Sequence, residues 1–79
     1  MSKNELKKIA DDADMIIAGY SFIRDENGFI KIVNLKNTKE ACLLQEDGEM
    51  IETSMNDITV IKVQNYYLKN KEFMENVNA

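Results

Sequence analysis

Among the side chains that could do chemistry, this sequence has one thiol, three tyrosines and fourteen carboxylates, and no histidine anywhere. A cysteine nucleophile works through a neighbouring base, most often histidine, and its thiolate needs a positive, accessible setting. Cys42 lies between Ala41 and Leu43, with only Lys39 near it in sequence, so it reads as a small buried hydrophobe. Lacking histidine, the chain also lacks the commonest general base and the commonest transition-metal ligand.

The acids fare no better. Asp11, Asp12 and Asp14 fall in a segment with helical spacing, where successive side chains point about 100° apart and do not converge on one ion. Asp25, Glu26, Asn27 and Gly28, and Glu46, Asp47, Gly48 and Glu49, carry oxygen ligands, but neither has the ligand order of a calcium loop. Turn formation accounts for both groups. Fourteen acids supply many pairs for acid–base catalysis and single out none. A sugar cleft would need aromatic walls, and three Phe, three Tyr and no Trp are few for that purpose. Gly19, Gly28 and Gly48 are too far apart to form a phosphate loop. No catalytic, cofactor or metal site is expected, and the chain reads as a non-enzyme.

Charge and length narrow the field further. A net charge of −4 disfavours a nucleic-acid surface, which needs clustered Lys and Arg. The longest apolar run, residues 15–18, is too short to span a bilayer, and the polar N-terminus has no leader-like stretch. A single cysteine excludes an intrachain disulfide, which points to a reducing, cytoplasmic setting. Seventy-nine residues make one domain, 1–79, whose stability should be only a few kcal/mol. Self-association is the remaining way to add to it.

The elements that would position these residues follow from periodicity. Ser2 and Glu5 fit a capping box. Leu6, Ile9, Ala10, Ala13, Ile16 and Ile17 then recur every three or four residues up to Gly19, predicting a helix over about 3–18 that ends on a left-handed glycine. Residues 20–24 and 29–34 are rich in aromatic and β-branched types around a turn at 25–28, predicting a hairpin. One register puts Phe22 beside Ile32 and Arg24 beside Ile30; a two-residue turn would instead pair Ile23 with Ile32 and Phe22 with Val33. The sequence leaves both open. Residues 40–46 and 49–53 predict a second hairpin around Asp47-Gly48, with Leu44 opposite Ile51, Cys42 opposite Thr53 and Glu46 opposite Glu49.

Ser54 with Asp57 three residues on suggests a cap for a second helix from Ile58 to about residue 75, although the β-prone run 58–63 could be a strand instead. The expected fold is α+β: an N-terminal helix, a four-stranded antiparallel sheet of two hairpins, and a C-terminal helix, both helices on one face.

That second helix carries the feature such a fold does not obviously absorb. Val60, Val63, Tyr67 and Met74 lie on one side, Ile58, Tyr66 and Phe73 at least about 100° round, and Ile61 and Leu68 in a third sector. A helix apolar over most of its circumference must be covered on more than one side, and exposed apolar patches mark interfaces. Val60, Val63, Tyr66, Tyr67, Phe73 and Met74 are therefore candidate contact residues. The expected function is a protein-interaction module of undefined process that forms a homodimer through the C-terminal helix or a free sheet edge. The alternative is an acidic regulatory subunit or antagonist that binds a basic protein through Asp11, Asp12, Asp14, Glu46, Asp47, Glu49 and Glu52. A carboxylate-based small enzyme is a remote third.

The Lys-, Asn- and Ile-heavy usage and the run 52–74 resemble small uncharacterised proteins of Gram-positive bacteria, some carried on mobile elements. That resemblance brings no functional motif and no activity with it.

Overall fold

The computed structural model describes residues 12–76. Five strands follow one another, β1 (Met15–Ile17), β2 (Tyr20–Arg24), β3 (Ile30–Asn34), β4 (Ala41–Leu44) and β5 (Met50–Thr53), and then one helix, α1 (Asp57–Asn76). The strands form a single antiparallel meander in the order β1-β2-β3-β4-β5.

The described residues therefore contain a five-stranded sheet and a C-terminal helix, not an N-terminal helix with four strands. Residues 1–11 of the expected helix lie outside the described residues. Within them, Met15–Ile17 is a strand paired with β2, Met15 opposite Phe22 and Ile17 opposite Tyr20. The local reason is at Ala18 and Gly19, whose φ values are 52° and 83°. Two consecutive left-handed residues make a type I′ turn, whose twist matches that of paired strands. A glycine after an apolar segment signals a helix end and a tight hairpin equally well. Here the β-branched Ile16 and Ile17 and the free edge of β2 decide for the hairpin. Asp14 closes the edge, its carboxylate accepting the Arg24 N–H at 2.8 Å.

In the second hairpin of the meander, Phe22 pairs with Ile32 and Arg24 with Ile30. Gly28, at φ 85°, ends a turn in which its N–H bonds the Asp25 carbonyl, and the Asp25 side chain accepts the Asn27 and Phe29 N–H groups. The last hairpin repeats this device around Gly48. Its N–H bonds the Gln45 carbonyl, and the Gln45 N–H bonds the Glu49 carbonyl. The loop is thus longer than a two-residue Asp-Gly turn. A register shift at Leu43/Leu44 puts Leu44 opposite Met50, not Ile51, while Cys42 keeps Thr53.

Residues directly opposite on antiparallel strands share a face. Phe22, Ile32 and Cys42 form one row and Ile30 and Leu44 another. All five are buried in one cluster with Met55, Val60, Val63, Tyr67 and Met74. The main core is therefore the sheet face closed by α1, while Ser21 and Val33, paired with each other, are buried on the opposite face. Asn56, not Ser54, caps that helix, accepting the Thr59 N–H at 2.8 Å. Ser54 instead ties the segment back to β4, accepting the Ala41 N–H and donating to the Lys39 carbonyl. Residues 58–63 are helical, so their β-propensity yields to the cap and to tertiary packing.

Candidate functional site

The turn between β4 and β5 is fastened to α1 by side chains. The Tyr67 hydroxyl donates to the Glu46 carbonyl at 2.6 Å, and the Gln64 amide donates to the Gly48 carbonyl at 3.0 Å. A Cβ on Gly48 would come within 2.8 Å of a Leu68 methyl, so the glycine lets the turn lie directly under Leu68. Arg24 joins in from β2 through an ion pair to Glu46 at 3.1 Å. These contacts fix which side of α1 faces the sheet.

The consequence for the candidate contact residues is a split. Val60, Val63, Tyr67 and Met74 are buried in the core of this one chain. Tyr66 is half-buried, its ring 6.5 Å from that of Tyr20. Phe73 is exposed, at 67%. Three residues outside that set are exposed beside it on α1: Ile58 at 77%, Ile61 at 59% and Leu68 at 47%. Their signal was the sector assignment: Ile61 and Leu68 fall in a part of the helix circumference that neither the core row nor Tyr66 occupies. What spacing could not supply was which sector the sheet would take. β5 adds Met50 and Ile51, at 40% and 41% exposed, on the sheet edge away from β1.

The other sheet face carries an open groove of about 500 Å³. Lys31, Leu43 and Glu52 lie in one cross-strand row over it, beside Ala41 and Ser54. The groove offers one cation and one carboxylate over an apolar floor and no converging pair of acids.

Of the reactive residues, Cys42 is buried on the core face. Burial pushes its thiol above the ordinary value, partly offset by a hydrogen bond with the Thr53 side chain. That is the reverse of the activation a nucleophile needs. Asp12 is exposed, Asp14 is engaged by the Arg24 backbone, and Asp11 lies outside the described residues. Among the described residues no group of three or more His, Cys, Asp or Glu could hold a metal ion, and no helix is long and apolar enough to cross a membrane.

A family model matches residues 3–74, nearly the full sequence and every described element except the last two residues of α1. The chain belongs to the family of unknown function DUF7723. No curated protein and no solved structure matches it. In this DUF7723 chain the outer side of α1 carries three exposed large aliphatic residues, Ile58, Ile61 and Leu68.

Proposed function

We propose that this protein is a non-enzymatic interaction module that self-associates through the outer side of its C-terminal helix, in the reducing cytoplasm of a bacterium. The observation that supports this is the exposure of Ile58, Ile61 and Leu68 on one helix whose opposite side already fills the core. Sequence chemistry points the same way: there is no histidine in the chain, and its one thiol is buried with its proton held more tightly. A domain this small gains stability by mass action when a second copy covers apolar surface.

Sedimentation equilibrium over a concentration series tests the reading. Mass should rise from one chain toward two with concentration, and Ile61→Glu should hold the protein monomeric without unfolding it. A wild-type protein that stays monomeric at about 1 mM, the weak end of specific pairing, removes the proposal.

A second reading, capture of a basic protein, is supported by the exposed acids Glu46, Asp47, Glu49 and Glu52 around the last turn and β5. Its signature is binding that weakens steeply with salt, because exposed charges are screened within about 8 Å at physiological ionic strength. Self-association through Ile61 and Leu68 would depend on salt far less steeply, because its main contacts are apolar.

A further inference from the structure

We infer that two copies pair through α1 with their helices parallel and in register about a two-fold axis, Asn65 meeting its own copy at the centre. This rests on the self-association proposed above and specifies its geometry.

The first ground is spacing on the side that the sheet leaves open. Ile58, Ile61, Asn65, Leu68 and Glu72 follow one another at intervals of three, four, three and four, and all five are exposed. That is the interval of a helix-pairing seam, in which Ile58, Asn65 and Glu72 take one repeating position and Ile61 and Leu68 the other. At about 100° per residue the seam is centred about 150° round the helix from the core row Val60, Val63, Tyr67 and Met74. The two apolar sides of α1 are thus nearly opposite, one spent on the sheet and one free.

The second ground is the polar residue inside the seam. An asparagine amide is both donor and acceptor. Across a two-fold axis between parallel helices, Asn65 faces Asn65 and each satisfies the other. A single asparagine at this position is the known device for selecting two strands and one register at some cost in affinity.

The third ground is charge. In a parallel pair, the residue before each first seam position packs against the partner residue five further along. That sets Asp57 against Lys62 of the second copy, opposite signs and both exposed, twice by symmetry. The next such position holds Gln64, whose amide is already bound to the Gly48 carbonyl of its own chain, and it sets no like charge against Lys69. An antiparallel pair would instead bring Lys62 and Lys69 of the two copies together, a repulsion set against the attraction of Asp57 for Lys71. Glu72 meets its own copy at the far end, where repulsion ends the seam after two heptads.

So short a seam would not hold isolated peptides together, since each helix would first have to form. Here the sheet and core have already ordered α1, so that entropy is not lost again on pairing. The resulting dimer is weak and concentration-dependent.

Cysteine cross-linking combined with sedimentation tests the geometry. Ile58→Cys places a thiol at the start of the seam, with wild type as the control for the buried Cys42. Under mild oxidation the Ile58→Cys chain should form a reducible dimer while wild type does not. A mixture of Ile58→Cys and Glu72→Cys should give no heterodimer. In an antiparallel pair the two thiols introduced by Ile58→Cys would be about 20 Å apart, too far for a disulfide, and the mixture would cross-link instead. That result overturns the parallel geometry and leaves self-association standing. Ile61→Glu and Leu68→Glu should each weaken association at least tenfold, and Asn65→Ile should tighten it while admitting species larger than a dimer. If dimers persist at wild-type affinity in both glutamate variants, the seam is wrong and another surface is in use. A strictly monomeric wild type defeats the inference together with the proposal beneath it.

Discussion

The inner and outer sides of α1 have nearly the same chemistry and opposite fates. Val60, Val63, Tyr67 and Met74 are sealed against the sheet, while Ile58 and Ile61 stand in solvent and Leu68, resting on the Gly48 turn, is about half exposed. Apolarity alone does not separate them. Two anchors do: the Tyr67 hydroxyl on the Glu46 carbonyl and the Gln64 amide on the Gly48 carbonyl. Side chains that reach across to a turn set the rotation of a helix, and its remaining apolar positions are then exposed whatever their hydrophobicity. A buried side chain on such a helix contributes folding energy; an exposed one of the same type is available for binding.

Substitutions can break or sharpen that contrast. Tyr67→Ala should have the largest effect: about 3–5 kcal/mol for a fully buried aromatic, comparable to the whole stability of so small a domain. Urea titration should find it largely unfolded; a loss under about 1 kcal/mol would mean that the inner side is not the core.

Gly48→Ala comes next. Its φ of 94° and the Leu68 methyl 2.8 Å from the new Cβ should cost about 1–3 kcal/mol. Part of this should return in the Gly48→Ala/Leu68→Ala double variant, because the contact is steric while the backbone strain remains. Fully additive losses would show that the turn does not press on Leu68.

Cys42 gives a smaller, pH-dependent effect. Its folded-state pKa is raised by burial, so the native state holds the proton more tightly than the unfolded chain. Its contribution is complete below the unfolded thiol value and falls as pH rises through the folded one, by at most about 1.4 kcal/mol per pH unit. Stability of wild type minus that of Cys42→Ala should therefore decline on going to alkaline pH; a flat difference would mean that the thiol is not desolvated.

Ile61→Glu should have the smallest effect on stability, within about 0.5 kcal/mol as for an exposed position, together with loss of self-association. A large loss of stability in the monomer would erase the distinction between the two sides.

Much of the sheet is legible in the residues alone. The hairpin of β2 and β3 follows from β-branched and aromatic runs around residues 25–28, but its register does not: spacing allows Phe22 opposite Ile32 or Val33, and the turn closed by Asp25 and Gly28 selects Ile32. The last hairpin is legible in kind and differs in detail at Leu44, because a loop closed by Gln45 and Glu49 adds residues that a two-residue turn does not have. The N-terminal error is of another sort. Met15, Ile16 and Ile17 fit a helical stripe as well as a strand, and pairing with Tyr20–Arg24 is a non-local gain that periodicity does not contain. The helix cap moves from Ser54 to Asn56 for the same reason: Ser54 finds partners on the chain around β4, thirteen and fifteen residues away.

The sequence by itself determined that no histidine chemistry or disulfide is available, that three glycines mark three reversals or helix ends, and that the last helix is apolar on more than one side. The tertiary structure decided which of those sides is core and which is surface. The reason is that spacing fixes the angles between side chains on one helix, while the rotation of that helix is set by partners distant in sequence, here the carbonyls of Glu46 and Gly48. The candidate contact residues chosen on apolarity therefore fell on the inner side, as with Val60, Val63, Tyr67 and Met74, or between the two, as with Tyr66 and Phe73, and the rotation of α1 decides that Ile58, Ile61 and Leu68 face outward.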